Sequence, residues 1–117
     1  MPNDTIFTKI IKREIPAKIH YEDDDFIVFD DIHPKAPVHV LVVTKIPYFS
    51  LEAIPIEDQL IYGKLLYIAR KVATQLNISA NYKLAMNVGE QVQAIPHLHL
   101  HILGGWPTPS EKTSSGL

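Results

Sequence analysis

Apolar residues recur along the chain at intervals that predict two helices and five strands. A short first helix is predicted after an N-cap at Asp4 and Thr5, because the next apolar residues share one helical face: Ile6, Phe7, Ile10 and Ile11. Pro16 ends this helix. The predicted main helix covers 57–77, and the predicted strands cover 17–22, 26–30, 38–43, 82–88 and 96–103.

The order of these elements is helix, three strands, helix and two strands. Connections between most neighbouring strands are too short for parallel crossovers, and only the long helix offers one. This order favours an α+β fold in which the helices pack on one side of a mostly antiparallel sheet.

The main helix has a wide apolar face. Eight residues fill an arc of about 160°, whereas a helix on its own sheet needs about 100°: Ile61, Leu65, Leu66, Ile68, Ala69, Val72, Ala73 and Leu76. Two explanations stay open at this point. The surplus either packs against a second copy of the chain, forming a homodimer, or wedges the helix deeper into its own core.

Composition narrows the class of protein. The 117 residues, 46% hydrophobic and 21% charged, fit one globular domain. The absence of cysteine excludes disulfides, thiolate zinc sites and a cysteine nucleophile. A net charge of -2 argues against a nucleic-acid partner. No apolar run approaches the roughly 18 residues that span a membrane, and no signal-peptide core is visible, so a cytoplasmic location is predicted.

The segment 97–102 carries histidines at alternate positions, separated by Leu and Ile. Successive side chains of a strand point to opposite faces, so His97, His99 and His101 are predicted to share one face. His39 lies in another predicted strand, where its side chain can face the same row.

Three explanations of this row compete: a polar face with incidental histidines, a zinc site, and catalysis by imidazole. Imidazole titrates near neutrality, so crowded histidines supply both neutral nucleophiles and proton donors. The preceding loop, 87–96, offers backbone N–H groups and amide side chains that can hold an anion such as phosphate. This loop favours catalysis on a phosphate over a zinc site. His20 and His33 are interpreted as surface residues.

Several segments in addition to the histidine row resemble the histidine triad (HIT) superfamily, most closely its nucleotide-binding branch, the purine nucleoside phosphoramidases. The resemblance covers about residues 4–105 and rests on DTIF at 4–7, KII at 9–11, EIPAK at 14–18, FDDI at 29–32, APVH at 36–39, NVG at 87–89, HLHLH at 97–101 and LGG at 103–105.

The resemblance implies a HIT-like α+β fold with two helices and a five-stranded antiparallel sheet, which becomes ten-stranded across a homodimer. It implies one domain over 1–105 and a C-terminal tail over 106–117. The implied substrate is a purine nucleoside monophosphate joined to an amine or acyl group, such as a phosphoramidate or an aminoacyl-adenylate. No cofactor, metal, nucleic acid or membrane is implied. The alternatives are a dinucleoside polyphosphate hydrolase of another HIT branch and a purine nucleotide-binding module without catalysis.

The resemblance also assigns roles to residues. His99 matches the nucleophile that forms a nucleotidyl-histidine, and His39, His97 and His101 match the histidines around it. Nucleotide-binding positions are matched as follows: Asp31 for the ribose hydroxyls, Asn87 beside phosphate and ribose, backbone N–H groups near Gln93 and Ala94 for phosphate, and Ile6, Phe7, Ile10, Phe29 and Ile32 for the base.

The chain departs from the branch at three places. Ala94 stands where the branch usually has Ser, and Val92 stands where it often has Gly. The tail after Gly105 does not follow the usual ending of the family. The missing hydroxyl at position 94 predicts slower turnover of phosphoramidates.

Overall fold

A five-stranded antiparallel sheet forms the centre of the fold. The computed structural model describes residues 4–107. Along this part of the chain the elements are α1 (Ile6–Ile11), β1 (Ile19–Glu22), β2 (Phe26–Asp30), β3 (Val38–Thr44), a short 3-10 helix (Leu51–Ala53), α2 (Gln59–Gln75), β4 (Tyr82–Ala85) and β5 (His99–Gly104). The strands lie in the order β1-β2-β3-β5-β4, and every neighbouring pair is antiparallel. The predicted element order and sheet type are therefore confirmed.

The two helices cover opposite faces of this sheet. Phe26 and Val28 of β2 belong to the core cluster that contains the buried side of α2. Ile27 and Phe29 alternate with them and pack with Phe7 of α1. The prediction that both helices lie on one side is therefore wrong. Because β2 is apolar at four successive positions, both of its faces need cover, as in sheets buried on two sides.

Helix α1 is short but firmly capped. The Thr5 hydroxyl oxygen accepts hydrogen bonds from the N–H groups of Phe7 and Thr8, and the Thr8 hydroxyl in turn accepts from the Thr5 N–H. This reciprocal arrangement satisfies free N–H groups of the first turn. It also fixes the turn that buries Phe7 and Ile10 against the sheet.

The wide apolar arc of α2 packs almost entirely against the core of its own chain. Five arc residues are buried in the core and two more pack partly buried against it: Leu65, Ile68, Ala69, Val72 and Ala73, then Ile61 and Leu76. Leu66 is the exception and is 57% exposed. The deeper-wedged explanation therefore accounts for all of the arc except Leu66.

The strand boundaries differ from the prediction at five ends. β1 begins at Ile19, β3 ends at Thr44, β4 ends at Ala85, and β5 runs from His99 to Gly104. The N–H groups of the two residues before β5 are engaged elsewhere, His97 with the Ile95 carbonyl and Leu98 with the Tyr48 carbonyl. The backbone N–H groups of His97 and Leu98 therefore bond to loop carbonyls and not to a neighbouring strand.

None of the helices between residues 4 and 107 is long and apolar enough to cross a membrane. The cytoplasmic location stays a prediction. So does the domain boundary at residue 105, since most of the predicted tail, 108–117, lies outside the described residues.

Candidate active site

The adjacent central strands β3 and β5 bring three histidines together. His39 lies on β3, where it is paired in register with Leu103, while His101 and His99 of β5 pair with Leu41 and Val43. The ring centroids of His39 and His101 are 5.1 Å apart, and those of His99 and His101 are 5.0 Å apart. The imidazoles lie on the sheet face that α1 covers.

His97 lies just before β5 and is fully buried. Its ring Nε2 lies 2.7 Å from the carbonyl oxygen of Thr44, so Nε2 carries a hydrogen and donates it. Nδ1 is buried and has no hydrogen-bond partner among residues 4–107. Burial lowers the pKa of His97 more than the bond to Thr44 raises it. His97 is therefore a neutral group whose ring packs edge-on against Phe7 at 5.6 Å.

His99 is oriented by the main chain of His97. Its Nδ1 lies 2.7 Å from the His97 carbonyl oxygen, which can only accept, so Nδ1 carries the hydrogen. In a neutral imidazole the other nitrogen, Nε2, then holds a free lone pair. Phe7 packs edge-on against this ring with centroids 5.1 Å apart. The ring of His99 is thus fixed in orientation, with Nδ1 engaged and Nε2 left for other partners.

His39 and His101 form a hydrogen-bonded pair. The backbone N–H of Lys35 donates to His39 Nδ1 at 3.0 Å, so that nitrogen is unprotonated. Neutral His39 therefore carries its hydrogen on Nε2, which lies 2.8 Å from His101 Nδ1. His101 accepts on Nδ1 and keeps its own hydrogen on Nε2. Three of the four histidines thus use at least one ring nitrogen for a main-chain contact.

Burial keeps this pair neutral. Burial lowers the pKa of His39, although the nearby Asp31 carboxylate opposes the shift. Burial, with the neighbouring charges of His99 and His39, lowers the pKa of His101 to about 4. At neutral pH the histidine pair therefore carries no net positive charge.

Asp31, His39 and His101 place ligand atoms within 4.8 Å of one another, the spacing of a possible metal site. A metal-bound imidazole needs a lone pair on the ligating nitrogen and usually donates from its other nitrogen. His39 has the opposite arrangement, because Lys35 donates to Nδ1 and the hydrogen sits on Nε2. Binding a metal through Nε2 would require breaking that bond or forming an imidazolate. The donor set therefore suits a hydrogen-bond relay better than a cation.

The predicted base-pocket residues are divided between core and surface. Phe7, Ile10 and Phe29 are buried together, with the Phe7 and Phe29 rings 5.5 Å apart. Ile6 packs partly buried against them. Ile32 is 65% exposed and is not part of that cluster. Of these residues, Phe7 contacts the histidine rings, with its ring centroid 5.6 Å from that of His97 and 5.1 Å from that of His99.

The loop before the triad is pinned by the side chain of Gln93. Its Oε1 accepts from the Gly89 N–H at 2.8 Å, and its Nε2 donates to the carbonyls of Phe49 at 2.9 Å and Ile95 at 3.1 Å. Gly89 has a φ of +115°, which favours glycine. The side chain of Gln93 thus holds the loop, while Ala94 and Asn87 are exposed.

The HIT domain family matches residues 12–108 of the chain. The chain belongs to the HIT family. It is 52% identical over 108 residues to an uncharacterized HIT-like protein of Synechocystis sp., covering 92% of this chain and 95% of that protein. Among solved structures, a HIT family hydrolase from Clostridium thermocellum is 40% identical with a TM-score of 0.81, covering 89% of this chain and 92% of the other. A histidine triad nucleotide-binding protein from Candida albicans is 30% identical with a TM-score of 0.75, covering 93% and 87%.

The groups that orient the histidines of this HIT chain are largely invisible in its sequence. The Lys35 N–H and the carbonyls of Thr44 and His97 are main-chain atoms, which every residue type supplies. One side chain was also misjudged. His20, expected at the surface, is only 12% exposed and its Nε2 lies 2.7 Å from the Asp30 carboxylate. The antiparallel pairing of β1 with β2 brings these two residues together.

Proposed function

We propose that the chain hydrolyses purine nucleoside 5′-monophosphates joined to an amine or an acyl group, through a nucleotidyl intermediate on His99. The observation that carries this proposal is the tautomer of His99, whose Nδ1–H is held by the His97 carbonyl at 2.7 Å. A ring fixed in this way has one free lone pair, as nucleophilic catalysis requires. The names of two relatives, a HIT family hydrolase and a histidine triad nucleotide-binding protein, support the same chemistry.

The reaction follows two displacements at phosphorus. His99 Nε2 attacks the α-phosphorus, a P–N bond to His99 forms, and either the P–O bond to the acyl group or the P–N bond to the amine breaks. The carboxylate leaves with the bonding pair, and the amine leaves with the bonding pair and a proton taken from solvent. Water then attacks the same phosphorus, releasing the nucleoside monophosphate and restoring His99. The Nε2–H of His101 is the donor that we assign to a phosphate oxygen, because Nδ1 of that ring is already engaged by His39.

The other predicted residues supply binding in this proposal. The Asp31 carboxylate, which lies 3.4 Å from His39 Nε2, accepts the ribose hydroxyls. The apolar residues that pack between α1 and the sheet, around Phe7 and Phe29, form the apolar side of the base pocket. Backbone N–H groups at Gln93 and Ala94, with the Asn87 amide, bind the phosphate.

We also propose that the active form is a homodimer. Leu60 and Tyr67 of α2 are 85% and 62% exposed, and Leu66 is 57% exposed. Within residues 4–107, β4 is an edge strand paired with β5 alone, so its outer hydrogen-bonding groups can pair with a second β4. Two sheets joined there would give ten strands.

A direct test uses three substrates: adenosine 5′-phosphoramidate, an aminoacyl-adenylate and a diadenosine polyphosphate. Acid-quenched wild-type protein is expected to carry one nucleotidyl group on His99 by peptide mass spectrometry. The same protein with His99→Ala is expected to carry none. Preferential cleavage of the polyphosphate favours the other HIT branch, and nucleotide binding without turnover favours a binding module. Inhibition by a chelator argues for a metal and against this mechanism.

A further inference from the structure

His20 is the extra residue of a β-bulge in β1. From Ile19 to Tyr21 the pairing advances by two residues along β1 but by only one along β2. Bulges of this kind re-aim a side chain, and they occur frequently beside active sites. The side chain of His20 is only 12% exposed, and its Nε2 lies 2.7 Å from Oδ1 of Asp30. The carboxylate accepts, so Nε2 carries a hydrogen, and the bulge turns this donor toward the end of β2.

The backbone of the bulge is held on both sides of the imidazole. Gln75, the last residue of α2, donates from its amide Nε2 to the His20 carbonyl oxygen at 2.8 Å. Two residues before the bulge, the Lys18 carbonyl oxygen accepts from the Asp30 N–H at 3.1 Å. These bonds tie β1 to both α2 and β2. His20 is therefore a fixed donor to the Asp30 carboxylate.

Asp30 and Asp31 are successive carboxylates with separate histidine partners. Asp30 ends β2 and pairs in register with Val40, a core residue of the sheet face that α2 covers. Asp31 follows, and its Oδ2 lies 3.4 Å from Nε2 of His39, whose imidazole is on the opposite face. The Asp31 N–H also donates to the His39 carbonyl at 2.9 Å. Because the two aspartates share one planar peptide group, a displacement of Asp30 also displaces Asp31.

A cavity of about 290 Å³ lies against this end of the sheet. Both carboxylates and both of their histidine partners line it: His20, Asp30, Asp31 and His39. A side chain that borders a cavity lacks packing neighbours on that side. Hydrogen bonds therefore do more than packing to determine where the two carboxylates lie. The His20–Asp30 bond, at 2.7 Å, is shorter than the 3.4 Å contact of Asp31 with His39.

From this arrangement we infer that His20 is a positioning residue: its bond to Asp30 fixes the end of β2 and so places the Asp31 carboxylate for a ribose. The inference rests on the proposed function, in which Asp31 accepts the ribose hydroxyls. One carboxylate holds two neighbouring hydroxyls only when its oxygens reach both, and a misplacement of about 1 Å is enough to weaken such binding. His20 thus acts on nucleotide affinity and not on the chemical step at His99.

The test compares the binding of AMP with that of 2′,3′-dideoxy-AMP, which lacks both ribose hydroxyls. Isothermal titration calorimetry of the wild-type protein is expected to show at least about tenfold tighter binding of AMP. His20→Leu removes the donor and keeps a side chain of similar size. We expect it to weaken AMP binding about tenfold and to leave binding of the dideoxy ligand within about threefold of wild type. An unchanged preference for AMP, or an equal loss for both ligands, would overturn the inference.

Three further variants isolate the hydrogen bond. His20→Gln keeps an N–H donor at a similar distance and is expected to bind AMP within about threefold of wild type. Asp30→Ala removes the acceptor at a side chain that is 46% exposed, and it should repeat the loss seen in His20→Leu even if that variant does not fold. His33→Ala changes an exposed histidine, keeps the N–H that donates to Asp31, and should match wild type. Wild-type affinity for AMP in Asp30→Ala would contradict the inference.

Amide hydrogen exchange tests the position of Asp31 without any nucleotide. The Asp31 N–H, which donates to the His39 carbonyl, is expected to exchange about tenfold faster in His20→Leu and Asp30→Ala than in His33→Ala. Equal exchange in all three variants would refute the positioning role. If wild type binds neither nucleotide, or does not prefer AMP, the proposed function or its ribose contact fails. The exchange rates then still decide whether the His20–Asp30 bond holds Asp31 in place.

Discussion

His99 donates its Nδ1–H to the carbonyl oxygen of His97, two residues earlier in the chain, over 2.7 Å. The carbonyl belongs to a peptide group whose other side is also held, because the Leu98 N–H donates to the Tyr48 carbonyl at 2.8 Å. The first histidine of the triad therefore orients the second through its main chain. Its own ring is occupied with Thr44.

Removing the His99 imidazole is expected to reduce turnover at least about 1,000-fold, because no other described histidine offers a free lone pair in this position. His99→Ala and His99→Asn are measured with the preferred nucleotide conjugate. His33→Ala, which changes an exposed histidine, serves as the control and should match wild type. Substantial turnover by His99→Ala would reject a covalent intermediate.

Ala94→Ser restores a hydroxyl beside the loop that precedes the triad. We expect it to accelerate phosphoramidate hydrolysis by about 10- to 100-fold, if the hydroxyl donates to the leaving nitrogen in the transition state. Hydrolysis of an acyl-adenylate should change little, since that leaving group needs no proton. Steady-state kinetics with both substrates measure these rates. An equal increase in kcat/KM for both substrates would indicate that the hydroxyl binds phosphate and does not assist the leaving group.

Phe7 joins α1 to the histidine face, since its ring contacts those of Phe29, His97 and His99. Phe7→Ala is expected to lower the free energy of unfolding by about 3–5 kcal/mol, because a buried aromatic ring leaves a cavity. Chemical denaturation monitored by circular dichroism measures this loss. Ile32→Ala, at a residue 65% exposed, is the matched control and should cost under about 0.5 kcal/mol.

The low pKa of the Asp23 carboxyl makes the free energy of unfolding depend on pH in the acid range. Burial raises the pKa of this carboxyl, but donors from the Tyr21 hydroxyl, the Asp25 and Phe26 N–H groups and Lys64 outweigh it and lower the pKa to about 2. A depressed folded-state pKa stabilises the protein above the unfolded value of 3.8, and this contribution is lost as pH falls from 3.8 toward 2. Above pH 3.8 the lowered pKa of Asp23 contributes about 2 kcal/mol to the free energy of unfolding.

Asp23→Asn is therefore expected to lower stability at pH 6 and to flatten the decline of stability between pH 4 and pH 2. Thermal unfolding across that range measures both effects. Asp24→Asn, at the exposed neighbour, should leave the curve close to wild type. An unchanged acid profile in Asp23→Asn would show that these hydrogen bonds do not set the carboxyl's pKa.

The exposed apolar residues of α2 predict the oligomeric state. Leu66→Lys is expected to convert a dimer into a monomer by light scattering, because a buried lysine at the interface lacks a partner. Ile46→Lys is a matched control, since both residues are 57% exposed and Ile46 lies outside α2. A dimer that survives Leu66→Lys would place the interface elsewhere.

Much of the architecture could be predicted because it depends on side-chain patterns. β2 was predicted at its observed bounds, and alternating histidines on β5 placed the imidazoles opposite Leu98, Leu100 and Ile102. The side covered by α1 could not be predicted, since an apolar stripe shows that a helix is buried but not on which face. Residues 26–29, apolar at every position, indicate that both faces of β2 are covered, but not which helix covers each face.

The finer geometry of the site could not be predicted from the sequence for a different reason. The sequence predicts His97 on the same strand as His99, but β5 begins only at His99, because the N–H groups of His97 and Leu98 bond to the carbonyls of Ile95 and Tyr48. The tautomers of His39 and His99 depend on the Lys35 N–H and the His97 carbonyl. Such atoms are present at nearly every residue, so only their placement distinguishes them.

The strand order places β3 and β5 side by side inside the sheet, with a partner strand on each outer flank. Local opening of a protein begins at edges and loops, and central strands exchange their amide hydrogens only in rare, near-global openings. The imidazoles of His39, His99 and His101 are thus carried by strands whose amide hydrogens are expected to exchange slowest. In the proposed reaction, substrate would enter and product would leave through the loops at the strand ends, which can open without displacing His99.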